Sequence, residues 1–340
     1  MKILAFLSVS FLLVVSAAAI AADTDEKPLV VTSSNASPNQ LLVYDTSGNL
    51  IQTVSTQGRG GVSGNAGGIE ARESLVAVVN FGSNSVSIFE RRHNSFELKQ
   101  LVSTSSSPVS VAFGNGHLYI LGTTGVESHA MDENHVNSNA DGFAPLLKAD
   151  GSAAQVGVVD NQLIVTEKSN TVETVNLLTD GTVSGLPTLV KNIPANVNTP
   201  FGLVTRGSDA YVTIAHANEI SLVRDDSVLT VTGSGTQSAP CWLTLVGPFL
   251  FSSNSPSQSV SRYAVYGQKI VQDAAVAASL NGDPTDIASG KHFVAVIDGR
   301  GSVSHLSIFS VDEEGNLTLL QPAATINGAA NGVAIVQGDE

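Results

Sequence analysis

The sequence predicts an all-β protein: a seven-bladed β-propeller of four-stranded antiparallel blades, its ring closed by the C-terminal strand inside the N-terminal blade. Three observations predict it. First, a short motif recurs, as Pro108-Val109-Ser110-Val111, Pro200-Phe201-Gly202-Leu203, Pro240-Cys241-Trp242-Leu243 and Pro284-Thr285-Asp286-Ile287, with looser copies around Gly68, Gln155 and Gly332. Its third residues fall at 68, 110, 155, 202, 242, 286 and 332, in steps of 42, 45, 47, 40, 44 and 46. Repetition at about 40–50 residues marks a propeller or a related array. Second, short runs rich in Val, Leu, Ile and Thr alternate with Gly, Asn and Ser turns, and no segment keeps a 3.6-residue apolar period. Third, the first three strands have no inner strand before them, and the last motif copy, Asn331 to Val336, has no strands after it. Joining the two completes one blade and removes free sheet edges.

The elements follow in order. Residues 1–22 read as a secretory signal peptide: Lys2, an apolar run from Ile3 to Val15, then small residues and a cleavage point near Ala21 or Ala22. Export makes the protein secreted, with no membrane insertion after cleavage, and leaves 23–340 as a single propeller domain. Leu29 to Thr32, Leu41 to Asp45 and Leu50 to Val54 form a meander. From Gly67 onward each repeat is an inner strand and three more, for example Ile69 to Ala71, Leu75 to Val79, Val86 to Phe89 and Phe96 to Leu101. Arg91-Arg92 is expected in a solvated turn. The repeat holding Val126 to Leu147 is the most degenerate, with a longer loop. Alanine-rich Gln272 to Leu280 takes the place of an outer strand despite its helical propensity.

Bulk properties narrow the function. The net charge is −14, the wrong sign for neutralising phosphates, so nucleic acid is not an expected partner. Cys241 is the only cysteine, so no internal disulfide can form, and it reads as a small buried hydrophobe. Sequons at Asn35 and Asn316 are glycosylation sites if the host has the machinery. No cofactor and no metal site are expected, although a divalent ion such as calcium stays open. His129 and His135 share a loop with Asp132 and Glu133 that reads as solvated surface. The oligomeric state is not legible.

Candidate ligand-binding residues come from the motif and from the turns between second and third strands, which share one rim of the ring. Trp242 offers a stacking platform or a channel plug. Asp286 offers a base or a strand-capping hydrogen bond. Asn80, Asn254 and Asp298 join Glu167, Lys168, His216, Asn218 and Arg300 in equivalent turns. Such a ring of amides and carboxylates suits a small sugar-like or anionic ligand, and the same residues also suit tight turns. Glu167 stands out because Glu is not a turn residue.

Val76-Ala77-Val78-Val79-Asn80 through Val86-Ser87-Ile88-Phe89, and Ser307-Ile308-Phe309 through Asp312-Glu313-Glu314-Gly315-Asn316-Leu317, resemble the repeats of the lactonase-type seven-bladed propellers. That family includes 6-phosphogluconolactonases and carboxymuconate-cyclising enzymes. The resemblance covers nearly all of the chain after residue 22. It implies a lactone hydrolase or lactonising enzyme in which Glu167 matches the family's Glu, with His216 and Arg300 as substitutes for its basic residues. The inner strand that carries Pro-Arg-His in the family reads Ala153-Ala154-Gln155-Val156 here. The expectation is therefore a lactonase-like propeller that binds a small molecule, with residual enzymatic activity. The alternative is a non-enzymatic secreted or surface propeller that binds an extracellular partner.

Overall fold

The computed structural model describes residues 26–193 and 199–338, so the expected leader over 1–22 lies outside the described residues. Seven antiparallel sheets stand in a ring. Blade 1 runs from outside inward through Leu50–Ser55, Gln40–Asp45, Leu29–Ser33 and the C-terminal Asn331–Val336. The closure expected from the sequence is the one observed, with Val31 opposite Ala334. Blade 2 runs outward through Ile69–Arg72, Leu75–Asn80, Ser85–Arg92 and Ser95–Ser103. Blades 3 to 7 begin at inner strands Pro108–Gly114, Ala153–Val159, Pro200–Arg206, Pro240–Val246 and Asp283–Ser289. Each inner strand touches the next, and the last touches the first.

The outer strands vary more, because they bury only one face. In blade 3 the third strand, Gly125–Asp132, pairs with Gly142–Pro145 after a short excursion through His135–Val136. In blade 4 the outer strand shrinks to Thr188–Leu189. In blade 6 it extends over Lys269–Ser279, so the alanine-rich segment is strand. Its alternation of partly buried and exposed positions overrides local helix propensity.

The repeated motif is a β-bulge. In blades 1, 3, 4, 5, 6 and 7 the pairing register slips within the motif, for example between Pro108 and Ser110 and between Pro284 and Asp286. A bulge turns the local strand and re-aims its side chains. Proline fits at the first position because the first residue of a strand can forgo a donor. Beyond the bulge the sides alternate strictly. The fourth residues, Ile69, Val111, Val156, Leu203, Leu243, Ile287 and Val333, are all buried aliphatics. The third and fifth face the following blade. Leu203 fills the space over Gly157, where a Cβ would lie 2.5 Å from Leu203 Cδ1. Gly202 leaves no open space either, since a Cβ there would lie 2.1 Å from the Cys241 carbonyl oxygen.

Where the third residue is polar, it bonds to the next inner strand. Val156 N–H donates to Ser110 Oγ (3.3 Å), Leu203 N–H to Gln155 Oε1 (2.6 Å) and Val333 N–H to Asp286 Oδ2 (3.3 Å). These contacts satisfy innermost backbone donors that no fifth strand could reach.

Arg91 corrects an expectation. It is 5% exposed, not in a solvated turn. Its guanidinium donates to the carbonyls of Gln337 (2.8 Å), Val336 (3.3 Å) and Lys27 (2.6 Å) and pairs with Glu26 at 3.1 Å. One side chain thus holds both ends of the described chain against blade 2. The sequons lie where the chain turns. Asn35 Oδ1 accepts from Gly61 and Val62 N–H (2.7 and 3.0 Å), and its Nδ2 donates to Val62 O (2.8 Å). Asn316 is exposed and its Nδ2 donates to Asp312 Oδ2 (2.9 Å), repeating the Asp45–Asn49 turn of blade 1. Arg91→Ala takes the donor from four carbonyls, that of His93 among them, and leaves Glu26 with His93 alone, so urea titration is expected to show a loss of about 3 kcal/mol. Arg92→Ala removes an exposed arginine whose buried partner Glu90 keeps Lys99 at 2.8 Å, and serves as the smaller-effect control.

Candidate functional site

The rim residues singled out by sequence are mostly turned inward. Asn80, Glu167 and Asn254 end the second strands of blades 2, 4 and 6, Asp298 lies two residues before the end of that of blade 7, and all four are fully buried. Asn80 accepts from Asn39 Nδ2 (3.0 Å) and donates to Ser87 Oγ (2.7 Å). Asn254 donates to Ser261 Oγ (2.8 Å) and accepts from Ser252 Oγ (3.1 Å). Asp298 lies 2.8 Å from His305 Nδ1. Burial pushes the Asp298 carboxyl up, and His305 opposes the shift. Glu167 Oε1 accepts from Lys148 N–H (3.2 Å), in the linker that leads into blade 4. A buried polar side chain must be satisfied, and the linker backbone supplies partners. These residues brace blades and linkers and do not present a polar ring to solvent.

The catalytic candidates do not converge. His216 is exposed on blade 5, with Nδ1 3.1 Å from Thr199 Oγ1. Arg300 is exposed on blade 7, across the ring from Glu167.

Glu167 has a neighbour that sequence reading missed. Val165 pairs with Glu173 and Glu167 with Thr171, so both glutamates lie on one face of the hairpin. Glu173 is also fully buried, and its Oε2 accepts from Leu147 N–H (2.9 Å). Glu167 Oε2 and Glu173 Oε1 have no hydrogen-bond partner. In blade 3 the position equivalent to Glu173 is Glu127, whose second oxygen lies 3.6 Å from His129 Nε2. His129 is therefore buried beside Glu127, not in a solvated loop. Blade 4 has no such histidine. Burial pushes Glu173 up to about 7, helped by the charge of Glu167, while the Leu147 N–H pulls it down. Burial raises Glu167 too, with Asp150 adding to the shift and Lys148 opposing it.

The central channel holds a cavity of about 300 Å³ lined by the inner strands. At the rim where the inner strands begin, the segment from Asn65 to Gly67 closes it. Trp242 Nε1 donates to Asn65 O (3.0 Å), Asn65 Nδ2 to Val109 O (2.7 Å), and Ala66 N–H to Ala154 O (3.1 Å). Phe201 meets the Trp242 ring edge-on at 5.2 Å. Trp242 thus ties the closing segment to blade 6 while also lining the lumen. The lumen lies beyond, between the later residues of the inner strands, such as Ala71, Phe113, Val158, Thr205 and Ser289.

Two carboxyls line this lumen. Asp286 is 4% exposed, and burial pushes it up to about 7 against the pull of the Ile287, Val333 and Gly67 N–H groups. Glu70, at the fifth motif position of blade 2, was not singled out from sequence. Its Oε2 accepts from Phe113 N–H (3.2 Å). The lumen reaches its half-buried side chain, and burial pushes it up to about 8 against Phe113 N–H and Arg72. The signal was legible: the other fifth positions are Ala112, Gly157, Val204, Thr244, Ala288 and Ala334, none of them charged. No Lys, Arg or His side chain is among the described residues lining the lumen. Cys241 is half-buried and its thiol is pushed up to about 12, which removes it as a nucleophile.

No protein-family model matches the chain, and no curated protein matches it in sequence. Solved structures do match in shape. A protein of unknown function from Desulfotomaculum acetoxidans gives a TM-score of 0.68 at 13% identity, covering 92% of this chain and 100% of that one. A Bacteroides uniformis protein provisionally assigned as a 6-phosphogluconolactonase gives 0.66 at 14%, covering 92% and 100%. Its Bacteroides fragilis counterpart gives 0.64 at 11%, covering 93% and 99%. The chain is a seven-bladed propeller with lactonase-like structural neighbours, and at these identities the likeness is one of fold.

The folded state holds the Glu173 proton more tightly than the unfolded chain does. Its stabilising contribution is complete below the ordinary glutamate pKa of about 4.3 and is lost as pH rises to about 7. For one site titrating alone the loss is about 4 kcal/mol. Glu173→Gln keeps an acceptor for Leu147 and removes the charge. Urea melts are expected to show the variant more stable than the parent at pH 8 and level with it near pH 4. Parallel pH profiles would refute the assignment.

Proposed function

We propose that this chain is a small-molecule-binding propeller whose ligand, hydroxylated and sugar-like in size and polarity, occupies the central channel. The observation that carries this reading is the lumen itself. It has about 300 Å³ of space, the small end of the usual range for ligand sites, and polar groups from several inner strands make up more of its wall than apolar ones do. We further propose that residues 1–22 are removed on export and that 23–340 act as one secreted domain.

The reading departs from a working lactonase for a physical reason. Lactone hydrolysis develops negative charge on the carbonyl oxygen and needs a preorganised donor or cation there. Glu167 is bonded to a linker, while His216 and Arg300 stand exposed on other blades. No basic group is among the described residues that line the lumen. The alternative, a surface module that binds a macromolecular partner, leaves the lumen unexplained.

Purified protein is expected to hydrolyse no sugar lactone above the buffer rate. A panel of sugars and polyols is expected to shift the melting temperature. Thr205→Trp, which fills the lumen, is expected to abolish the shift, whereas His216→Ala and Arg300→Ala leave it intact. The reverse pattern would return the site to the rim, and lactone turnover lost in Glu167→Gln would restore the enzyme.

A further inference from the structure

We infer that the ligand of the channel carries an ammonium group, which ion-pairs with Glu70. The inference rests on the channel being the ligand site and adds the chemical class of what enters it. Its ground is the balance of charge around the lumen. Glu70 and Asp286 are the titratable side chains among the described lining residues, and both are acids. Asp286 spends both oxygens on backbone N–H groups of Ile287 and Val333. Glu70 has one oxygen bonded to Phe113 N–H, and its side chain is partly open to the lumen. The nearest cation, Arg72, is two residues further along the same strand. It is exposed, with its Nε 4.0 Å from Glu73 Oε1, outside the lining.

An ionised carboxylate in such a place lacks a partner, and a cationic ligand supplies one in a site where water screens poorly. An anionic ligand finds no cation among the described lining residues, in a protein of net charge −14 that attracts cations over long range. A neutral sugar gains ordinary hydrogen bonds and no ion pair. The charge-assisted bond from an ammonium to Glu70 is the strongest polar contact the lumen offers. Its formation pulls a proton off Glu70, because burial otherwise favours the neutral acid and Arg72 and Asp286 remain where they are.

Three probes of one size and different charge decide the matter: glucosamine, glucose and glucuronate at pH 7. The readouts are melting temperature and the fluorescence of Trp242, the only tryptophan, at the closed end of the channel. Glucosamine is expected to bind best and glucuronate worst. Calorimetry is expected to show a heat that changes with the ionisation enthalpy of the buffer, reporting the released proton. Glu70→Gln is expected to weaken glucosamine by about tenfold, the scale of one lost ion pair, and to level it with glucose. Glu70→Asp keeps the charge and is expected to keep the order of preference. If glucose binds as well as glucosamine to both the parent and Glu70→Gln, the ammonium assignment falls and the channel stands. If no probe moves either signal, both fall.

Discussion

Everything in this molecule depends on one strand pairing. Asn331–Val336 lies beside Leu29–Ser33, though about three hundred residues separate them. A sheet with an unpaired inner edge would leave backbone donors facing the channel. With the pairing made, the inner strands form an unbroken circle and the lumen becomes a defined space. Arg91 secures the joint by gathering the carbonyls of Lys27, Val336 and Gln337 around one buried cation. Such a long-range closure is paid for in loop entropy before any contact rewards it.

Inside that circle, space is rationed by geometry. The bulges of blades 3, 4 and 7 aim a polar side chain at the following blade, and Leu203 occupies the gap left by Gly157 on the preceding one. Ser110, Gln155 and Asp286 sit where a side-chain acceptor can reach a neighbour's N–H, and Gly202 where no side chain fits. Against this background Glu70 is an exception that the packing tolerates because its side chain borders the lumen.

The architecture was legible because periodicity records it. Bulges, aliphatic inner positions and turn residues recur at one spacing, and the missing half-blades at the two ends complement each other. The site was far less legible. Asn80, Asn254 and Asp298 are residue types that suit both a ligand and a buried brace, and only coordinates tell the two apart. Glu167 drew attention for a sound reason, since a glutamate in a turn is odd, but the oddity reflects its buried partnership with Glu173 and the 147–149 linker. Arg91 followed the same pattern: an Arg-Arg pair looks like solvated surface until the chain ends are seen to meet there. Glu70 was readable in principle, by comparing one motif position across all seven copies. It sits in a copy without the proline that makes the others conspicuous.

The plug formed by Asn65 and Trp242 gives the channel a single door. A through-pore lets traffic pass, whereas a blind well makes arrival and departure compete for the same opening. Occupancy is then set by what happens at the far face, around Ala71, Phe113 and Thr205. Anything that settles on that face would trap or exclude the occupant without touching it, and a change in the plug at the opposite rim would leave the doorway as it was.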